Sequence, residues 1–146
     1  MARVLLVEDD DLNRALVRTI FARSADPLLR DAQLIEAGDL AAARAVLADR
    51  PVDMVLLDMG LPDGSGLALA ADLKLLGPRD SPAVVAITGA AEPLLREAAL
   101  AAGCAAVVQK PYTMANLREL ICAHLQRRAQ RVRGSAEHHS GSTSGN

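Results

Sequence analysis

Aromatic side chains are almost absent from this chain. Phe21 and Tyr112 are the only two among 146 residues, and there is no Trp. Single-stranded nucleic acid is bound on platforms of stacked rings, so that class of surface is disfavoured. Cysteine is scarce as well: Cys104 and Cys122 have neither the spacing of a zinc site nor the number that a disulfide framework needs. They read as two reduced, partly buried thiols. Long apolar runs are missing too. The longest, residues 98–108, is interrupted by Gly103 and falls far short of the ~20 residues of a membrane span. At the N-terminus only Val4 to Val7 are apolar before Glu8, Asp9, Asp10 and Asp11 intervene, which is no signal peptide. The expectation is a cytoplasmic protein with no membrane partner.

What remains is aliphatic. Hydrophobic residues make up 51% of the chain, so a core exists but must be built from Ala, Leu, Val and Ile. The length suits one domain, since roughly 100 to 200 residues per domain is usual. The net charge of -2 conceals an asymmetry: residues 126–146 hold four Arg and one acid, a net of +3, which leaves -5 on residues 1–125. Apolar periodicity decays after about Leu125. The expected organisation is therefore a packed domain over residues 1–126, followed at 127–146 by a basic and then Ser/Gly/His-rich tail without fixed structure.

Short apolar runs recur at Val4–Val7, Met54–Leu57 and Ala83–Ile87, with weaker ones at 33–35 and 105–108. Runs that can be buried on both faces are characteristic of strands in a parallel sheet. Between and after them, apolar residues fall at helical spacing: Leu12, Leu16 and Ile20; Leu40, Ala43 and Leu47; Ala70, Leu73 and Leu76; Leu95, Ala98 and Ala102; Leu117, Ile121 and Leu125. Asp39 is placed to cap the second helix, Gly77-Pro78 to stop the third and Gly103 to end the fourth. Five β-α units predict an α/β fold with five helices, flavodoxin-like. Its doubly wound, five-stranded parallel sheet would have the order 2-1-3-4-5 and a ligand crevice where strands 1 and 3 diverge.

That topology gathers chemistry at one sheet edge. The first strand runs into Glu8, Asp9, Asp10 and Asp11, the third ends at Asp58, the fourth at Thr88 and the fifth at Lys110. Each has an ordinary reading alone: acids in a helix's first turn complement its macrodipole, and a lone Asp often caps a loop. Together they are three or more carboxylates, one hydroxyl and one ammonium. Carboxylates at such range repel, and a single Lys cannot neutralise them, so either their pKa values rise or a divalent cation binds. Oxygen ligands with room for waters suit Mg²⁺.

Four stretches match a known family in order and spacing: Val-Glu-Asp-Asp at 7–10, Leu-Leu-Asp-Met-Gly-Leu-Pro-Asp-Gly-Ser-Gly-Leu at 56–67, Ile-Thr-Gly-Ala at 87–90 and Gln-Lys-Pro-Tyr at 109–112. Over residues 3 to about 125 the chain resembles the response regulator receiver domain of two-component signalling, of the single-domain type. The resemblance implies that Asp58 is the phosphoacceptor and also a metal ligand. It makes Asp9 a direct Mg²⁺ ligand, Glu8 a water-mediated one and the Gly60 carbonyl a further ligand. Lys110 would pair with Asp58 and then with the phosphoryl group, and Thr88 would hydrogen-bond a phosphoryl oxygen. A cis peptide at Lys110-Pro111 is also implied. The partners implied are a histidine kinase or a histidine phosphotransferase, with a downstream protein that one sequence does not identify.

Two departures matter. Receivers usually carry a ring three residues before the Lys, which turns inward as the Thr moves; here the position is Val107, while Tyr112 reads as a packing aromatic. Gly60 and Ala90, two residues after Asp58 and Thr88, are small, so an acyl phosphate would be poorly shielded and short-lived. The output surface implied is the fourth helix, fifth strand and fifth helix, read by protein association or phosphoryl relay. The alternatives are a receiver fragment of a larger response regulator or hybrid histidine kinase, and an interaction module that acts without phosphorylation. The Arg run at 127–133 has no base-reading motif beside it, so nucleic acid is not expected as a partner. The chain is not expected to be an enzyme beyond its own phosphorylation and dephosphorylation. A phosphohydrolase of related architecture would need a general acid two residues after Asp58, where Gly60 stands.

Overall fold

The computed structural model describes residues 1–89 and 93–144. Five strands form one all-parallel sheet: β1 (Arg3–Val7), β2 (Gln33–Ala37), β3 (Met54–Asp58), β4 (Ala83–Thr88) and β5 (Ala106–Gln109), in the order β2-β1-β3-β4-β5. The helices are α1 (Asp11–Arg23), α2 (Pro27–Arg30), α3 (Leu40–Asp49), α4 (Gly66–Lys74), α5 (Gly77–Asp80), α6 (Pro93–Ala101) and α7 (Met114–Ser144). Strand order and direction are those expected from the sequence.

The sheet separates two cores because successive strand side chains point to opposite faces. Leu5, Val7, Val55, Leu57, Val84 and Ala86 meet α3, α4 and α6 on one side, where Ala43, Leu69, Leu73 and Ala99 are buried. Val4, Leu6, Met54, Leu56, Val85 and Ile87 meet α1, α2 and α7 on the other, with Ile20, Phe21, Leu29, Leu117 and Ile121. Full burial of a Leu or Ile side chain contributes about 1.5–3 kcal/mol, so aliphatic residues suffice where rings are lacking. Phe21, one of the two rings, is buried in the second core. Cys104 is buried in the first, which pushes its thiol up to about 11, and both cysteines are free.

The structure differs from the sequence expectation in two respects. There are seven helices among the described residues rather than five, because two four-residue turns lie between the longer ones. Pro27 at the first turn and the Asp26 carboxylate, accepting from the Leu28 amide at 3.0 Å, build α2. Likewise α4 ends at Lys74, and Gly77, at φ +88°, opens α5 instead of merely stopping a helix. In addition α7 runs past residue 126, the expected end of the packed domain, through Ser144. Leu125 is its last buried residue among those whose burial is described, but Arg128 donates to the Asp53 carboxylate at 3.1 Å and Arg131 to the Ser81 carbonyl at 3.2 Å. Polar anchors thus continue the docking where the apolar stripe stops. Asp39 caps α3 as expected, accepting from the Ala42 amide at 2.7 Å, and Gly103, at φ +106°, follows the end of α6.

One close approach near the sheet's C-terminal edge requires glycine. A Cβ on Gly66 would lie 2.9 Å from Cγ and Cδ2 of Leu57 and 3.1 Å from Sδ of Met59. The bare α carbon lets α4 start against the strand that carries Asp58. Overpacking of this kind costs about 1–3 kcal/mol; Gly66→Ala is expected to lower the unfolding free energy obtained from urea denaturation by that amount, and an unchanged value would mean that α4 can back away freely.

Candidate functional site

The site lies where the winding of the sheet reverses. From β1 the chain passes outward to β2 and then returns to β3 on the other side, opening a crevice beyond the C-terminal ends of the strands. Backbone ladders continue past the strands and set the side chains there. The Glu8 amide donates to the Ala37 carbonyl at 3.0 Å, the Met59 amide to Ile87 at 2.9 Å and the Lys110 amide to Thr88 at 2.7 Å. Glu8, Asp58, Thr88 and Lys110 are therefore carried by the sheet framework and not by free loops.

Glu8 and Asp58 are buried, at 2% and 6% exposure, and Thr88 is buried at the end of β4. Asp9 is exposed, yet one oxygen each from Glu8, Asp9 and Asp58 lie within 4.8 Å of one another. Lys110 reaches both buried carboxylates, donating to Glu8 Oε2 at 3.2 Å and to Asp58 Oδ2 at 3.3 Å. The other oxygen of each is held by backbone: Asp58 Oδ1 accepts from the Gly60 amide at 2.9 Å and Glu8 Oε1 from the Asp10 amide at 3.1 Å. The Lys110-Pro111 peptide is cis. A Cβ on Gly60 would meet only Asp58 Oδ1, at 3.7 Å, and one on Gly89 would meet nothing within 4 Å, so among the described residues there is room beside both glycines. Ala90 lies outside the described residues.

Three carboxylates against one ammonium leave a local charge of -2. Burial raises the Glu8 pKa above its ordinary value; the Asp10 amide counters this, and Asp58 adds to the rise. For Lys110, burial works against the charge, but the Asp58 and Glu8 carboxylates outweigh it and raise its pKa. Burial also raises that of Tyr112, which packs on the core behind the site. An all-oxygen donor set with surplus negative charge fits a hard divalent cation such as Mg²⁺.

Sequence reasoning missed two contacts. It paired Lys110 with Asp58 alone, whereas Glu8 shares the ammonium. It also assigned no role to Asp63, whose carboxylate accepts from the Leu40 amide at 2.9 Å and the Ala41 amide at 3.1 Å. The loop after Asp58 is thereby tied to the N-terminus of α3. The Leu-Pro-Asp-Gly run signals a turn, but its partner on another segment is legible only in the folded chain.

Residues 4–122 match the family model of the response regulator receiver domain. The polar-differentiation response regulator DivK of Brucella anthropi is 33% identical over 122 residues, covering 84% of this chain and 94% of DivK. The response regulator protein PilR of Pseudomonas aeruginosa is 32% identical over 127 residues, covering 86% of this chain but 26% of PilR. The chain thus spans about a quarter of that longer relative. Among solved structures, a CheY-like response regulator receiver domain protein of Methanospirillum hungatei superposes with a TM-score of 0.77 at 23% identity, covering 89% of this chain and 98% of that one; at this identity the likeness concerns the fold.

The electrostatics make the metal-free protein pH-sensitive. Because the folded-state pKa of Glu8 is raised above 4.5, the unfolded chain loses this proton first as pH climbs. The Glu8 contribution to stability therefore falls from pH 4.5 upward, through the folded-state value. In chelator-treated buffer, Glu8→Gln is expected to exceed wild type in thermal stability at pH 7, by a margin that vanishes as pH drops toward 4.5. A constant margin at both ends of a pH series would show that something other than the Glu8 charge is at work.

Proposed function

The chain belongs to the response regulator receiver family of two-component signalling, and we propose that within it Asp58 accepts a phosphoryl group from a phosphohistidine partner, a histidine kinase or a histidine phosphotransferase. The observation that carries this reading is the hydrogen-bonded pair of Asp58 and Lys110 at the end of β3, buried but open on the Gly60 and Gly89 side. The P–N bond of the donor would break as a P–O bond forms on the Asp58 carboxylate, leaving the imidazole to take a proton from solvent. Transfer to a carboxylate needs a positioned nucleophile and cations at the phosphoryl oxygens. Backbone donation from Gly60 positions the carboxylate. Lys110 supplies one cation, moving from Asp58 to the phosphoryl group, and Thr88 supplies a hydroxyl from the neighbouring strand end.

Glu8, Asp9, Asp58 and the Gly60 carbonyl would hold Mg²⁺, whose contribution when bound is charge neutralisation at the phosphoryl oxygens. We take residues 1–126 as the receiver unit and the remainder as a tail, and the phosphorylation as the chain's own signalling step in the cytoplasm. The output surface would be α6, β5 and α7, where Leu94, Leu100 and Met114 are exposed. Val107 offers no ring to turn inward; it is half-buried against the first core, so Thr88 and Lys110 would carry the change to that surface directly.

Incubation with a small acyl phosphate and Mg²⁺, followed by intact mass, is expected to give one phosphoryl adduct on wild type and none on Asp58→Asn. The adduct should decay quickly once the donor is removed, given the open approach beside Gly60. No adduct on wild type, or equal adducts on both proteins, would refute the assignment. Independently, a ligand present at a hundred times its Kd stabilises the native state by about 2.7 kcal/mol. Saturating Mg²⁺ is thus expected to raise the melting temperature of wild type and to do much less for Asp9→Ala; no effect on wild type would remove the metal from the scheme.

A further inference from the structure

At the opposite edge of the sheet, below the N-terminal end of β4, lies a cavity of about 280 Å³ lined by Lys74, His124, Arg127, Arg128 and Arg131, together with the Ser81-Pro82 turn. Asp58 pairs with Ile87, four residues further along β4 than Ala83. The cavity is therefore roughly 13 Å from the phosphoacceptor edge at ~3.3 Å per strand residue. Four segments contribute to it: α4, the turn before β4 with the start of that strand, Gly103 and Ala105 before β5, and α7.

Its cationic charge is largely uncompensated. No carboxylate is among the lining residues. Of the four Lys and Arg side chains, only Arg128 has an ion-pair partner among the described residues, Asp53 at 3.1 Å, leaving Lys74, Arg127 and Arg131 without one. Arg128 is further anchored by the Arg79 carbonyl at 3.4 Å, yet its Nε is buried without an acceptor. A buried donor in that state costs about 1–3 kcal/mol. Gly103 leaves room for the Lys74 stem, since a Cβ there would come within 2.8 Å of Lys74 Cδ. Nor does the helix dipole account for the arginines. It favours cations only in the last turn, whereas α7 continues from Arg131 to Ser144. Burial, then Arg127, lowers the His124 pKa, so this ring adds a neutral hydrogen-bonding wall at pH 7.

We propose that this cavity binds a small phosphate-bearing anion, clamped between α4 and α7 by Lys74, Arg127, Arg128 and Arg131. Guanidinium groups present planar forks that match phosphate oxygens. The cavity is slightly below the ~300–1,000 Å³ usual for drug-sized ligands, which fits a compact polyanion. An extended nucleic acid would need a track of cations and stacking surfaces instead.

The test is calorimetric titration of the full chain with inorganic pyrophosphate in Mg²⁺-free buffer. Saturable one-site binding is expected, weakened about tenfold or more, equivalent to about 1.4 kcal/mol, in R127Q/R131Q. Both of these side chains are exposed, and an unchanged melting temperature would verify that the variant folds. Binding should persist in Lys110→Ala, which would abolish it if the anion sat at the Asp58 edge. It should persist as well in R23Q/R30Q, which removes the same charge from the α1–α2 corner. Absence of saturable binding to wild type, loss in Lys110→Ala, or equal weakening in the two arginine pairs would each overturn the proposal.

Discussion

The arrangement at the C-terminal edge rests on one contact, the sharing of the Lys110 ammonium between two buried carboxylates, Glu8 at 3.2 Å and Asp58 at 3.3 Å. Burying two carboxylates to 2% and 6% exposure calls for a cation and backbone donors beside them, because taking a charge out of water costs several kcal/mol. The three residues come from β1, β3 and the end of β5, so the contact also fixes how these strand ends stand to one another. It is under-neutralised: one ammonium faces three carboxylates, an imbalance that fits the divalent ion proposed for the crevice.

Most of the fold was legible because the core is aliphatic and periodic. Val4–Val7, Met54–Leu57 and Ala83–Ile87 are buried throughout, and a run of that kind leaves few alternatives to a central parallel strand. The edge strand β2 was weaker in the sequence for a physical reason: Glu36 interrupts its apolar pattern and pairs with Arg14 and Arg18 of α1 at the surface. The two extra turns escaped notice because four-residue helices have no periodicity; they are made by local capping and by proline. The extension of α7 escaped for a different reason, since its anchors are Arg128 and Arg131, residues that resemble a solvated tail until Asp53 and the Ser81 carbonyl are seen opposite them.

The candidate site was legible as a set and less so as a geometry. Topology alone brings Glu8, Asp9, Asp58, Thr88 and Lys110 to one edge, and the family pattern gives each a role. What the sequence does not contain is the division of labour among oxygens. Each buried carboxylate offers one oxygen to Lys110 and the other to a backbone amide, of Asp10 or Gly60. Nor does it contain the Asp63 clamp on α3, which makes the shape of the loop after Asp58 depend on a helix that brings no side chain to the site. The shortage of rings acquires meaning here. With Val107 in place of an aromatic, the proposed communication to α6 and α7 would run through the backbone and through Thr88 and Lys110.

The bond from the Lys110 amide to the Thr88 carbonyl, 2.7 Å long, extends the β4–β5 ladder past the last regular pair, Thr88 with Gln109. Strand side chains alternate between faces, so adding or deleting a single residue in β5 would reverse every side chain beyond it. Lys110 would then turn from the crevice, and a neutral neighbour would take its place. The number of residues in β5 is therefore constrained more tightly than their identities, by a lysine that lies outside the strand.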